Sequence, residues 1–277
     1  MKKLLTLLAL TITFSMNAQV SENSTSATGT HASAIGNGTT ASGGYSTAMG
    51  NGSTASGTGS LAIGLSSTAS DSYSIAIGRN ITSSGSHSVA MGFGTTASGN
   101  RSTATGAYTT ASDFGSTVIG QYNSSGSSVT NNATSFSTSN TAFVIGNGTA
   151  SNAKSDAFKV MFNGDTTISN DLTVSGDVVV SSDARLKANI VSLGSTLSKL
   201  LLIDGKSYVM KKDGKQKIGV LAQDIQEVFP ELVTKDDNEM LAVNYQGLVP
   251  VLINALKEQD EKISKLEKLV EQLISEK

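Results

Sequence analysis

The chain has 277 residues, with 28 Gly, 2 Pro, no Trp and 5% aromatic residues, too little bulky material for one thick core and more suited to thin, elongated architecture. A net charge of -2 gives no reason to expect nucleic acid or an anionic membrane as a partner. The absence of Cys excludes disulfides, thiolate metal sites and thiol nucleophiles; the two histidines, His31 and His87, lie too far upstream to give the C-terminal part a Ser-His-Asp triad.

Residues 1–18 read as a secretory signal. Lys2 and Lys3 precede an apolar run over 4–14, and Ser15-Met16-Asn17-Ala18 stands before Gln19, with the cut expected after Ala18. The apolar run is too short to serve as a stable membrane span, though an unprocessed anchor is the competing reading. The mature chain is therefore expected outside the cell or on its surface, without a membrane anchor.

From residue 27 the sequence repeats. Gly36, Gly50, Gly64, Gly78, Gly92, Gly106 and Gly120 are spaced by 14. Two residues before each stands Ala34, Ala48, Ala62, Ala76, Ala90, Ala104 or Val118, and four before the later six stands a serine from Ser46 to Ser116. A disordered Ser/Gly linker would have this composition, but a linker needs no register. Ser-x-Ala-x-Gly alternation places the small side chains on one strand face. The other face carries Thr47/Met49, Leu61/Ile63, Ile75/Ile77 and Val89/Met91.

A 14-residue coil holds two short strands and two turns, with the recurring Gly supplying turn geometry. Coils stacked by strand pairing advance about 4.8 Å each, which makes a rod of roughly 33 Å. So narrow a coil must turn its small face inward. The Ile/Met/Leu face is then expected to bury against identical chains, giving a homo-oligomer with a continuous apolar seam. His31 and His87 share one repeat position with Tyr45, Tyr73 and Arg101. They stand four coils apart, about 19 Å at that stacking distance, so no metal pair is expected.

The units YSIAIG (73–78), HSVAMG (87–92) and GSLAIG (59–64) resemble the head repeats of trimeric autotransporter adhesins. The resemblance covers about residues 27–125 and implies a trimeric left-handed parallel β-roll. That family ends in a membrane-embedded β-barrel, which has no counterpart here, so attachment to the cell is not carried over.

Residues 126–181 form the expected neck. The polar stretch 124–140 loses the repeat phase and reads as a loop or insertion. Residues 142–148 read as a further strand and turn, and 158–162 as a strand followed by a hairpin-type turn at Asn163-Gly164-Asp165. Short strands are expected at 166–168, 172–174 and 178–180; an intertwined trimeric neck or a flexible connector would account for them.

Charge density then changes abruptly. Glu22, Asp71, Arg79, Arg101 and Asp113 are the charged residues of 19–150, whereas charges recur every few positions over 182–277. Residues 190–203 read as a short helix or loop–helix, and 207–210 with 217–221 as a β-hairpin around Asp213-Gly214. Residues 222–229 read as a helix stopped by Pro230, and 240–244 as a strand. From about residue 246 to 277 Leu252, Leu256, Gln259, Ile263, Leu266, Val270 and Leu273 step by four and three, the spacing of a coiled-coil seam. The residue types on that seam favour dimers, against the trimer expected from the rod; a helix packed on its own domain is the other reading.

Ser182 followed five residues later by Lys187 is the best nucleophile–base candidate in the chain. In isolation, a helix N-cap at Ser182 or Asp183 with a solvated lysine would explain the pair equally well. SDARLK (182–187), GVLAQDIQEVFPELV (219–233) and VNYQGLVPVLINALKEQ (243–259) resemble, in order, the intramolecular chaperone auto-processing domain of phage endosialidases and tail fibres. The resemblance implies a domain that drives trimer folding of the preceding segment and then cuts itself off. It makes Ser182 the nucleophile and Lys187 the general base, with scission between Ser181 and Ser182 and support from Asp183 and Arg185. The lysine can accept a proton only if its pKa falls well below the usual value near 10.4, through burial or nearby cations.

The expectation is thus a mainly β, exported homotrimer: signal 1–18, β-roll head 19–125, neck 126–181, and an α+β chaperone domain 182–277 ending in a coiled coil. It would be a fibre or adhesin-like protein with one autoproteolytic serine-peptidase turnover, or a non-cleaving fibre with a permanent trimerisation clamp. No cofactor or metal is implied, and no enzyme acting on external substrates. Its partners are two further copies of itself and a surface or host ligand that the sequence does not identify.

Overall fold

The computed structural model describes residues 19–236 and 239–276; the expected signal over 1–18 lies outside them. The chain divides into two compact units, Met1–Asp177 and Val178–Lys277.

In the first unit each repeat is one coil of a parallel β-solenoid. A coil consists of a five-residue strand such as Leu61–Leu65, a bend, and a two-residue strand such as Thr68–Ala69. The long strands stack in parallel from Gln19–Asn23 to Thr117–Gln121, and the short ones form a second, seven-stranded sheet from Ser26–Ala27 to Thr110–Ala111. Like sits on like: Ala62 pairs with Ala48 and Ala76, and Gly64 with Gly50 and Gly78.

The small face points inward as expected. Ala48, Ala62, Ala76 and Ala90 of the long strands and Ala41, Ala55, Ala69 and Ala97 of the short ones are fully buried. Serines share this core by bonding to backbone carbonyls: Ser46 Oγ donates to Gly43 O at 2.7 Å, and Ser67 Oγ to Gly78 O at 2.9 Å. Ile81 is the exception in size, fully buried at a position held by Ser53, Ser67 and Thr95 in neighbouring coils. Met49, Ile63, Ile75 and Ile77 on the outer face are half-buried, and Met91 is exposed.

The phased glycines do a different job from the one expected. Gly78 lies inside the strand Ile75–Arg79, not in a turn. Its φ is +136°, and a Cβ there would meet the Gly92 carbonyl oxygen at 2.1 Å. Glycine is required because adjacent coils approach too closely for any side chain. The bends use other residues. His31, Tyr45, Tyr73, His87 and Arg101 hold φ of 57–59°, as Ser66, Asn80 and Tyr108 hold 53–55° at a second position. These left-handed columns bring rings into stacks one coil apart, at 5.1 Å for His31–Tyr45 and Tyr73–His87 and 4.7 Å for Tyr108–Tyr122.

The insertion over 124–140 is pinned by buried polar groups. Asp113, fully buried, accepts from the backbone N–H of Thr130 (2.6 Å) and Thr141 (2.9 Å). The Asn123 side chain pairs with Thr110 as a strand would, accepting from its N–H at 2.8 Å and donating to its carbonyl at 2.9 Å. Thr141–Asn147 then stacks in parallel on Thr117–Gln121, and Asp156–Met161 and Thr166–Ile168 follow antiparallel. The stretches 172–174 and 178–180 are not strands. Leu172, Val174, Val178, Val179 and Val180 are exposed, with Val179 at 88%, and among the described residues no strand pairs with them.

The second unit contains α1 (Leu197–Leu200), a hairpin of Lys206–Val209 with Gln216–Gly219, α2 (Ala222–Val228), a two-stranded pair of Val233–Lys235 with Leu241–Val243, and α3 (Leu248–Ser275). Pro230 stops α2, as its missing N–H and ring require, and opens a 3₁₀ turn. Ile225, Phe229, Leu232 and Val251 form the core, joined by Leu200, Val243 and Leu248. The long helix presents two faces. Val251 and Ala255 are buried, whereas Leu252, Leu256, Ile263, Leu266, Val270 and Leu273 are exposed.

Replacing Gly78 by Ala should destabilise the solenoid by about 2 kcal/mol or more, from backbone strain and the collision with Gly92. Gly52→Asn should stay within about 0.5 kcal/mol, since Gly52 sits at φ +64°, a Cβ there would meet only the Ser66 hydroxyl at an ordinary contact distance of 3.7 Å, and Asn tolerates that conformation. Chemical denaturation of the two variants beside wild type checks both expectations.

Candidate functional site

Residues 181–187 lie in irregular chain interrupted by one 3₁₀ turn, Ala184–Leu186. Asp183 caps that turn, its carboxylate accepting from Arg185 N–H at 2.8 Å. The Arg185 guanidinium folds back on the same carboxylate, with Nη2 at 2.7 Å and Nε at 3.0 Å. This charge-assisted contact, then the backbone bond, holds the Asp183 carboxyl below its ordinary range, and the carboxylate raises the Arg185 pKa in return.

The turn doubles the chain back on itself, so residues five apart meet. Lys187 Nζ donates to Ser182 Oγ at 2.7 Å. The structure therefore brings together Ser182 and Lys187, and separately Asp183 and Arg185; Ser181 lies beside them in exposed chain. The capping reading holds for Asp183, while Ser182 is free of that duty. A hydroxyl and an amine at hydrogen-bond distance can act as nucleophile and base once the amine is neutral. All these residues are exposed within one chain, as is Leu186 at 73%.

The rest of the unit is tied together by contacts the sequence pattern did not indicate. Glu258 on α3 accepts from Ser195 Oγ at 2.7 Å, from Thr196 N–H, and from Leu197 N–H at 3.2 Å, satisfying the first amides of α1. The buried Thr196 donates its hydroxyl to Val251 O at 2.9 Å. Tyr245 Oη accepts from Val220 N–H at 3.1 Å, linking the segment 243–259 to 219–233. Spacing gives no hint of these pairs because Ser195 and Glu258 are 63 positions apart. Among the described residues no helix is long and apolar enough to cross a membrane.

Comparison with known proteins agrees with both halves. The family model of the YadA head domain repeat matches residues 27–53, 55–80 and 83–109. A model described as chaperone of endosialidase matches residues 182–234, beginning at Ser182. Long tail fiber protein Gp37 of Escherichia phage AR1 is 36% identical over 84 residues, which cover 27% of this chain and 8% of that protein. The likeness to this relative thus spans a small part of its length.

The Ser195 hydroxyl, then the Thr196 amide, hold the Glu258 carboxyl below the ordinary glutamate range. A group lowered in the folded state stabilises it fully above that ordinary range, and the effect is lost as pH falls through the lowered value. Hydrogen exchange should show protection of the Thr196 and Leu197 amides, relative to intrinsic rates, falling on acidification below pH ~4.5. Glu258→Ala should lose that protection several-fold at neutral pH and flatten its acid dependence.

Proposed function

We propose that this chain is an exported, homotrimeric fibre or adhesin-like protein whose C-terminal domain serves as an intramolecular trimerisation chaperone and then severs itself between Ser181 and Ser182. The matches to an adhesin head repeat and to a chaperone of endosialidase, with the tail-fibre relative, support a surface or extracellular fibre assembled by its own C-terminal segment. Three sets of apolar groups support assembly from identical copies: the half-buried outer stripe of the solenoid, the exposed valines of 178–180, and the exposed seam of α3. Each would leave water on association, at about 25 cal/mol per Å² of apolar surface. In this reading 19–125 is the head, 126–181 the neck, and 246–277 a coiled coil.

The observation that carries the cleavage step is the 2.7 Å contact of Lys187 Nζ with Ser182 Oγ at the first residue of the chaperone match. The neutral amine takes the Ser182 hydroxyl proton as Oγ attacks the Ser181 carbonyl carbon. The Ser181–Ser182 C–N bond then breaks, and the proton passes from Nζ to the departing Ser182 nitrogen. The resulting Ser181 ester on Ser182 Oγ is hydrolysed by one water, which leaves a Ser181 carboxylate and restores the hydroxyl. The step needs a neutral amine, which desolvation favours, so in this reading the cut follows the covering of the turn by partner copies. Assembly thus precedes scission.

The exposure of the turn and the sufficiency of Asp183 as its cap favour a second reading, in which the domain stays attached as a permanent clamp. Purified wild-type chain should run on a denaturing gel as fragments 19–181 and 182–277, while Ser182→Ala remains full length. Lys187→Ala should block the cut and still form the trimer by light scattering. Wild type that stays intact and trimeric would select the clamp.

A further inference from the structure

The insertion builds a cleft on the solenoid. Its floor is made by three consecutive coils, through Ser86 and His87, Asn100 and Arg101, and Phe114; its wall is the loop residues Thr134 and Ser135. The open volume is about 370 Å³, at the small end of the range for small-molecule sites.

The cleft is held in shape before any ligand arrives. Asn100 N–H donates to Ala133 O at 2.8 Å, and Phe114 N–H to Asn132 O at 3.0 Å, which fasten the loop to the coils. The Asn132 carboxamide in turn accepts from the backbone N–H of Thr134 and Ser135 at 2.9 and 2.8 Å. Asn100, which lines the cleft, accepts from Ser86 N–H at 3.0 Å through Oδ1 and keeps its Nδ2 as a further donor. Arg101 is the single charged group in the lining. Its guanidinium lies over the Phe114 ring, 5.4 Å from the centroid, and among the described residues no carboxylate forms an ion pair with it.

The chemistry of the lining selects a ligand. A planar guanidinium fixed on an aromatic face presents a fork of donors that matches a carboxylate. The remaining polar groups are hydroxyls, an amide and an imidazole, whose Nδ1 is bonded to Ser86 Oγ at 2.9 Å. Such groups answer the hydroxyls of a sugar ring, and a guanidinium held over the Phe114 ring disfavours an occupant that is apolar throughout, such as a lipid. We infer that this cleft binds an acidic monosaccharide unit, its carboxylate on Arg101 and its hydroxyls on Asn100 and the loop residues Thr134 and Ser135. At the equivalent position of the other coils stand His31, Tyr45, Gly59, Tyr73 and His87, so among the described repeats a guanidinium at this position is particular to this coil. The inference rests on the solenoid alone and is independent of the cleavage step.

Titration of the full chain with glucuronate, glucose and acetate, followed by NMR or calorimetry, tests it. Glucuronate should bind at least tenfold more tightly than either glucose or acetate. Arg101→Gln should lower glucuronate affinity tenfold or more with an unchanged circular dichroism spectrum. Ser135→Ala, on the loop, should weaken glucuronate several-fold and leave acetate unaffected, which separates sugar recognition from a bare anion site even if Arg101→Gln misfolds. Absence of glucuronate binding, equal affinity for acetate and glucuronate, or full binding by Arg101→Gln would overturn the inference.

Discussion

Everything in the solenoid follows from how closely one coil sits on the next. At Gly78 the carbonyl of the coil above occupies the space a Cβ would need. That contact, repeated from Gly36 to Gly120, locks a 14-residue register and leaves an interior that Ala and Ser fill. A core of methyls and hydroxyls buries little apolar area per residue, so parallel ladder bonds and serine-to-carbonyl bonds carry much of the order. Apart from the buried Ile81, the bulkier Ile, Met and Leu side chains stand on the outside, where one chain covers them by half or less. Dependence on further copies is the physical corollary, and the proposed trimer answers it.

The solenoid was largely legible because its signal is a strict period. Inward Ala and Ser, outward Met and Ile, and two strands per coil all follow from alternation and spacing. The role of glycine was misread, since close approach between coils is a contact between residues 14 apart and leaves no local mark. Two turns per coil were expected, but not the residues that make them: Tyr45 and Arg101 are unusual for a left-handed backbone, and contacts one coil away, Tyr45 on His31 and Arg101 over Phe114, accompany them. Residues 172–180 have strand composition, but a strand also needs a partner backbone, which composition cannot supply.

In the C-terminal unit the hairpin, α2 with its Pro230 stop, and the long helix were each readable from local pattern. The proximity of Ser182 and Lys187 was an expectation drawn from resemblance, and a three-residue turn capped by Asp183 supplies its geometry. Glu258 could not be found this way. A glutamate on a charged helix looks like any solvated residue until the chain brings the Thr196 amide to it. The helical seam and the buried stripe of α3 overlap in sequence, yet Val251 and Ala255 face the domain while Leu252 and Leu256 do not.

Asn123 has a consequence for how long the solenoid can become. Its carboxamide imitates the peptide group of a coming coil, giving Thr110 both a donor and an acceptor and so extinguishing the growing edge of the short-strand sheet. The long-strand sheet changes direction at Asp156–Met161, and a reversed strand is a poor template for another parallel turn. Together they act as a full stop to the parallel stack at this end, so the number of coils is set by where this punctuation stands in the sequence.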